Sequence, residues 1–417
     1  MKGRILVIAA VLGLAKADAA AIGVVAPSLQ AHLHVSEAQL GFMASLAAVT
    51  GAVAALPAGT LTDRRHRVLV VTVALVGWSL ALSLAGFAGG VVLLAVARVL
   101  SGGVATVARP IAVSLTGDVF QPAQRGRALA ALDTGQAVGT AACFALGALA
   151  VHLLSWRWLF FWLAAIGLGL AVVTARLEEP VRRGPPGPAL GEMLRALTLI
   201  RTNRIVLLAD SVGNFFYAGA ASFAVLFVSE RYHLSNATVD ALAPILAAGV
   251  ILGILAGGRV GDRLTRTRGG QERVAVAAVC QLVATGLFAV ALMSGSVVMA
   301  ALFLFLGSTV LGGAGPCLDA VRIDIVPSGM RGRAEAARGL LLLGSGALGP
   351  ATFGLVATAF GGRGAGLALR DAFLVMLGPL AAGALILFAA AGSYREDAVR
   401  AEDRSLPLGR PADILEA

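Results

Sequence analysis

Two stretches decide how this chain is read: Gly59-Thr-Leu-Thr-Asp63-Arg64-Arg-His-Arg67 and Gly258-Arg-Val-Gly-Asp262-Arg263-Leu-Thr-Arg266. Both spell G-x3-D-R-x2-R, and each follows one long apolar run and precedes another. Further matches recur without a gap at an offset of 206 residues. Pro110 meets Pro316, Asp118 meets Asp324, and Arg125-Gly126-Arg127-Ala128 meets Arg331-Gly332-Arg333-Ala334. Chance does not readily place both motifs at matching ends of matching runs. The chain is therefore read as one module used twice, in parallel.

The composition says what kind of module. Of 417 residues, 58% are hydrophobic and 13% charged, and mean hydropathy is +0.87. Soluble domains carry about 25% charged residues, so a water-soluble or disordered chain is excluded. A span needs about 20 apolar residues. Twelve such runs are legible, at about 4–27, 38–61, 68–89, 91–117, 128–152, 156–176, 204–229, 241–260, 273–294, 297–325, 334–360 and 371–393. Short alternating segments, the signature of a barrel, are absent. The expected fold is an all-α membrane protein of twelve transmembrane helices in two six-helix bundles, residues 1–176 and 204–393. A cytoplasmic linker, 177–203, joins them; its residues Ala189–Arg204 read as an amphipathic helix on the headgroups. A polar, frayed tail, 394–417, follows.

The net charge of +10 invites a nucleic-acid reading, but its distribution argues otherwise. With a cytoplasmic N-terminus, 24 of the 33 Lys and Arg residues fall on the cytoplasmic side, four outside and five within spans. That is the positive-inside bias: the expected partner is the lipid bilayer, with both termini cytoplasmic in a bacterial inner membrane. Met1-Lys2-Gly3-Arg4 and Ala17-Asp18-Ala19 also resemble the flanks of a signal peptide. The apolar run continues to Pro27, however, and removing it would break the repeat. Enzyme chemistry has no foothold. Lysine occurs only at Lys2 and Lys16, neither in a phosphate-binding loop. No H-E-x-x-H or G-x-S-x-G occurs, and the histidines and the cysteines Cys143, Cys280 and Cys317 are scattered. No cofactor or metal is expected, and the chain is expected to be monomeric.

The loop motifs have a mechanical reading. Asp63 and Arg67, and Asp262 and Arg266, are spaced i, i+4, so each pair shares a helix face. Each Asp can accept from N–H groups at a neighbouring helix start. Each Arg can bridge to an acid at another helix end, Asp118 or Asp324. Together Gly59, Asp63, Arg64, Arg67, Asp118, Arg125, Arg127, Gly258, Asp262, Arg263, Arg266, Asp324, Arg331 and Arg333 are candidates for a cytoplasmic gate that latches and releases.

The doubled G-x3-D-R-x2-R loop, the R-G-R-A loop, Arg98-x3-Gly102 and Trp156-Arg-Trp-Leu-Phe-Phe161 resemble the major facilitator superfamily. The resemblance covers essentially the whole chain. It implies alternating-access transport without ATP, spans one, four, seven and ten around a cavity, and spans two, five, eight and eleven between the halves. Gly135, Gly139 and Gly147 in span five, and Gly249, Gly253, Gly257 and Gly261 in span eight, recur at multiples of four and are expected at that half–half contact. Charges at membrane depth cost about 2.5–3.5 kcal/mol and should face water or a partner. Lys16, Asp18, Arg98, Arg109, Asp133, Asp210, Asp319 and Arg322 are therefore candidates for a substrate or proton cavity. Thr106 lies near the stripe of Arg98 and Arg109, which are eleven apart and point within about 20° of each other on a continuous helix. Asn214 and Tyr217 extend a polar face from Asp210.

A weaker similarity is to the superfamily's Spinster-like branch, through Asp18-x-Ala20-x4-Val25-Ala26-Pro27, Ser36-x-x-Gln39-Leu40-Gly41 and Phe227-Val-Ser-Glu230-Arg-Tyr-His-Leu234-Ser235. That branch implies lipid-like substrates. Its Asp-Arg pair in span one is Asp18-Ala19 here, and its span-four acid is Ala105. Asp18, Asp133 or Asp210 can then serve as the titrating carboxylate. The expected function is secondary, proton-coupled transport of a small organic or amphipathic solute. Alternatives are a drug/proton antiporter, whose G-P-x3-G pattern occurs here as Gly349-Pro350-x3-Gly354 in span eleven rather than span five, and a non-transporting sensor.

Overall fold

The computed structural model describes residues 2–33, 35, 37–64, 66–179, 190–233, 236–360 and 365–403. The side chains of Asp63 and Arg64, and residues 404–417 of the tail, lie outside the described residues. Among the described residues the structure is helical. In a bilayer, backbone N–H and C=O groups find no water, and a helix satisfies them within the segment.

In the first half the helices are α1 (Lys2–Leu33), α2 (Glu37–Arg64), α3 (Arg67–Gly86), α4 (Val91–Ala105), α5 (Ala108–Val119), α6 (Pro122–Leu153) and α7 (Arg157–Ala175). A short α8 (Leu190–Leu199) occupies the linker. The second half holds α9 (Arg201–Tyr232), α10 (Asn236–Arg268), α11 (Gln271–Met293), α12 (Val297–Gly312), α13 (Ala314–Ile325), α14 (Arg331–Ala359) and α15 (Ala365–Asp403). Ten helical stretches among the described residues are long and apolar enough to cross a membrane, α4–α5 and α12–α13 each counting as one. With α2 and α10 in the remaining two places, the fold is the twelve-span, two-bundle arrangement. The tail differs from expectation: α15 carries helix on to Asp403, because Tyr394 and Ala401 are buried and hold that stretch down.

Spans four and ten are each two helices rather than one. The breaks, at residues 106–107 and at Gly313, fall at matching places in the repeat. Pro110 and Pro316 explain both: a proline has no N–H to give the carbonyl four residues back and its ring crowds it, here Thr106 and Gly312. At the first break the Thr106 hydroxyl donates to Gly51 O and Gly102 O, both at 3.1 Å.

The glycines sit elsewhere than expected. A Cβ on Gly135 would lie 2.5 Å from Ala9 O, on Gly139 2.1 Å from Gly13 O, and on Gly147 2.1 Å from a Val24 methyl. These seat span five on span one. In span eight, a Cβ on Gly249 would meet Phe305 and Thr309, on Gly253 the Thr309 carbonyl at 1.8 Å, on Gly257 the Gly313 carbonyl at 2.2 Å, and on Gly261 the Cys317 sulfur at 2.9 Å. The seven glycines therefore pack helices within one half, not the two halves together. Small residues permit close backbone approach wherever it occurs, and their spacing does not say which neighbour approaches.

The molecule divides into two compact units. One comprises Met1–Val119, Ala131–Pro188 and Ser328–Gly339; the other comprises Phe120–Ala130, Ala189–Pro327 and Leu340–Ala417. Each unit is thus one half of the sequence with a short segment of the other half, and both exchanged segments carry an R-G-R-A motif. In the first unit the start of the linker is strapped down. Glu179 accepts from the Val68 N–H at 2.8 Å and from Arg67 Nε at 3.0 Å, at the first turn of α3. Burial works against its ionisation, but the Val68 N–H and the Arg67 guanidinium outweigh it and hold the carboxyl below the usual carboxylate range.

Gly253→Ala should lower the thermal midpoint by about 3 °C or more, whereas Gly286→Ala, with no atom within 4 Å of the new Cβ, should leave it unchanged in a thermal-shift assay. Glu179→Gln should also lower the midpoint at pH 7. Because the folded-state value is depressed, the strap's contribution is present above the ordinary carboxylate value and fades as pH falls through the lowered one. The gap between wild type and variant should therefore close below about pH 4, and a gap that stays constant with pH would rule the strap out.

Candidate functional site

Four groups of buried charge organise the structure. The first lies in the second unit. Asp262, fully buried on α10, accepts from the Gly126 and Arg127 N–H groups at 2.9 and 3.0 Å, near the positive end of α6. Arg127 Nε, on a half-exposed side chain, reaches the same carboxylate at 3.3 Å. Arg273, also fully buried, spans Asp262 at 2.8 Å and Asp324 at 2.9 Å, and donates to Pro122 O. Asp324 further accepts from Arg125 and from the Tyr394 hydroxyl, the latter at 2.8 Å. The two glycines of the motifs are explained here. A Cβ on Gly126 would sit 2.7 Å from Asp262 Oδ1, and one on Gly258 would sit 2.7 Å from Gly126 O.

The second group, in the first unit, mirrors the first. Arg67 binds Asp118 at 2.5 Å and Ser114 Oγ at 3.0 Å, and Arg331 reaches the other oxygen of Asp118 at 3.2 Å. Gly59 is buried, with Arg333 Cα 2.9 Å from where its Cβ would be. Arg333 is itself buried and donates to Gly329 O at 3.4 Å. Each repeat thus supplies an arginine to its own acid, Arg67 to Asp118 and Arg273 to Asp324. Each also lends its R-G-R-A arginine to the acid of the other repeat, Arg125 to Asp324 and Arg331 to Asp118.

Arg67 meets Asp118 as expected from the motif, but the shared helix face and the part given to Arg266 are corrected. α2 ends at Arg64, so Arg67 belongs to α3 and does not share a helix with Asp63. α10 runs on to Arg268 before turning at Gly269, whose φ of 102° lies in the left-handed region that glycine adopts readily. Arg266 therefore stays on α10, largely exposed, and its Nε donates back to Asp262 O at 3.3 Å. Arg263 is exposed. The structural counterpart of Arg67 is Arg273, which the motif missed but the 206-residue offset points to directly.

The third group is at membrane depth in the first unit. Asp18 of α1 accepts from Arg98 of α4 and, at 3.1 Å, from Trp78 Nε1 of α3. On the other side of the break, Arg109 of α5 binds Asp133 of α6 at 2.9 Å and Glu335 of α14 at 3.1 Å. Gln136 donates to Asp133, and Arg338 to Glu335, each at 2.9 Å. Arg98 and Arg109 do not form one stripe: the break at Thr106 sends them to different partners, and Thr106 serves the backbone. Lys16 lies on α1, two residues before Asp18.

The fourth group is in the second unit. Arg322 of α13 binds Asp319 of its own helix and Asp210 of α9. Asn214 does not extend this cluster; it donates to Leu342 O at 2.7 Å and Ser345 Oγ at 3.1 Å, pinning α9 to α14. Tyr217 is 65% exposed. Trp78, Ser114, Glu335 and Tyr394 were not anticipated. Trp78, Ser114 and Tyr394 carry no charge for a depth argument to flag, and Glu335 follows the R-G-R-A loop in a run read as apolar. No group of three or more His, Cys, Asp or Glu side chains suited to a metal occurs among the described residues.

Comparison with known proteins agrees with this picture. Among curated relatives, an uncharacterised MFS-type transporter, YceJ, of Bacillus subtilis (strain 168) is 28% identical over 243 residues, 57% of this chain and 61% of that one. Multidrug resistance protein 1 of the same organism is 27% identical over 248 residues, 58% of this chain and 62% of that one. The chain thus spans about three fifths of the length of these relatives. Of solved structures, the transporter FucP in its outward conformation superposes with a TM-score of 0.76 at 14% identity, covering 93% of this chain and 98% of that one. A bacterial homologue of the human lysosomal transporter Spinster, inward-facing and occupied, gives 0.55 at 21% identity over 98% of each chain. At such identities these two show the fold alone. The Major Facilitator Superfamily model matches residues 8–350, and with the duplicated six-span module and its paired charges this chain belongs to that superfamily.

Proposed function

We propose that the protein is a secondary active transporter that moves a small organic or amphipathic solute by alternating access, coupled to protons, in a bacterial inner membrane with both termini cytoplasmic. The observation that carries the reading is the reciprocal lending of arginines, Arg125 to Asp324 and Arg331 to Asp118. A bond between segments of different repeats can be broken and remade without unfolding either one. Buried, it is strong; opened to water, it weakens several-fold. The Asp262 carboxylate on the α6 N–H groups belongs to the same latch. The positive-inside distribution puts the latch on the cytoplasmic side.

For coupling, Asp18, Asp133 and Asp210 each hold an arginine at membrane depth. A proton on any of them weakens its hold on that arginine, which for Arg109 and Arg322 leaves a second carboxylate, Glu335 or Asp319, in place. A bound solute and a proton can then exchange the same partner, which is the linkage that secondary transport requires.

A second reading, drug/proton antiport, has one observation in its favour: the similarity to Multidrug resistance protein 1 of Bacillus subtilis. In this reading protons enter as solute leaves.

Reconstituted protein should drive solute flux when a pH gradient is imposed, and Asp18→Asn, Asp133→Asn or Asp210→Asn should uncouple flux from the gradient; flux indifferent to the gradient would show uniport. Asp262→Asn should raise cytoplasmic-side accessibility of an engineered cavity cysteine and change the transport rate by about tenfold or more; unchanged rates would defeat the latch. Impermeant labelling should find cysteines placed in the Asp63 and Asp262 turns on the same face of the membrane, and opposite faces would overturn the orientation.

A further inference from the structure

Along the C-terminal half of α10 one face is packed and another is not. Gly253, Ile254, Gly257, Gly258, Gly261 and Asp262 are buried, whereas Leu252, Ala256, Arg259, Arg263 and Arg266 are exposed. At 3.6 residues per turn the five exposed residues fall within about 80° of one another. They form a stripe, apolar towards the middle of the helix and cationic towards its end. Leu252 is 54% exposed, and the three arginines rise over about 10 Å beyond it. That order, apolar and then charged, is the order of a lipid read from acyl chain to phosphate.

The protein does not neutralise these arginines. Arg259 Nη1 donates to Leu255 O at 3.1 Å and Arg266 Nε to Asp262 O at 3.3 Å, both backbone carbonyls of α10 itself. Among the described residues none of the three holds a carboxylate. Asp262, which lies between them in sequence, turns inward to Arg273. By contrast Arg67, Arg125, Arg273 and Arg331 each hold an acid. A general bias of positive charge towards one side of the membrane does not require this stripe. In the first copy of the motif, Thr60, Arg64 and Arg67 stand where Arg259, Arg263 and Arg266 stand in the second, and Arg67 is buried on Asp118.

We propose that this face of α10 binds an anionic phospholipid, its phosphate among Arg259, Arg263 and Arg266 and its acyl chain along Leu252 and Ala256. A guanidinium can give a phosphate two parallel N–H bonds, so arginine suits the contact. A zwitterionic lipid gains less, because its own cation offsets the attraction of the phosphate. The surface does not depend on which solute the protein moves, and its test involves no flux.

Purified protein in neutral detergent is titrated with phosphatidylglycerol, phosphatidylcholine or glycerol 1-phosphate while the thermal midpoint is followed. Phosphatidylglycerol should raise the midpoint at a lower concentration than phosphatidylcholine, and the difference should shrink between about 0.05 and 0.5 M NaCl. The triple variant Arg259→Gln, Arg263→Gln, Arg266→Gln should raise the half-saturating phosphatidylglycerol concentration at least about tenfold. The control Arg201→Gln, Arg395→Gln, Arg400→Gln removes three exposed arginines elsewhere and should keep it within about threefold. Should the first triple variant not fold, Arg263→Gln alone carries the test, with about a fivefold rise expected and an unchanged concentration overturning the proposal. It is also overturned if phosphatidylglycerol has no effect or the two lipids act equally. A response to glycerol 1-phosphate over the same range would indicate a free-phosphate site instead, and equal losses in the two triple variants would indicate a diffuse cationic field; either result removes the lipid surface.

Discussion

A guanidinium taken out of water is costly unless acceptors, best of all a carboxylate, meet it. Arg273 shows the constraint most plainly. It is wholly buried, and it is held by Asp262 on one side and Asp324 on the other. Through these two acids it touches the start of α6, the end of α13 and the tail helix at Tyr394. Much of the second unit's geometry follows from keeping that single charge neutral. Gly126 and Gly258 have no Cβ because their helices must close on Asp262. α10 must run past its motif and reverse at Gly269 so that α11 presents Arg273 at its first turn.

The first unit solves the same problem with Arg67 and Asp118, and adds the linker acid Glu179 as a third partner. The two solutions are not independent. Asp118 and Asp324 each also take an arginine lent by the opposite repeat. This explains why the structure divides along a line that does not coincide with the middle of the sequence. The segments that change sides, Phe120–Ala130 and Ser328–Gly339, are the ones bearing those arginines. Deeper in the membrane the repeats diverge. Asp18, Trp78, Arg98, Arg109 and Asp133 have no charged equivalents at the offset positions of the second half, and Glu335 has none in the first; the second half instead gathers Asp210, Asp319 and Arg322. Similar frames thus hold dissimilar interiors.

The frame was legible before any coordinates. Composition excluded water-soluble folds, the apolar runs located the long helices, although α1, α6, α10 and α15 run five to ten residues beyond them, and the offset of 206 related the halves. The breaks in spans four and ten were implicit in Pro110 and Pro316, since a proline inside a helix disturbs the carbonyl four residues earlier. The site was only partly legible. Charge at membrane depth flagged Asp18, Arg98, Arg109, Asp133, Asp210, Asp319 and Arg322, because burying an ion is costly whatever the fold.

What the sequence determined by itself is periodic or local: the apolar runs, the internal repeat and the helix-breaking prolines. Each depends on chemistry within a few residues or on a count over the whole chain. Partnership was decided only in three dimensions. Arg67 left its motif because α2 stops at Arg64, Arg266 lost its acid to Arg273, Thr106 turned to the backbone, and seven glycines seated neighbours within a half rather than between halves. A side chain's spacing states which way it points along its own helix, but which helix stands opposite is set by how all of them pack, and no stretch of sequence carries that information alone.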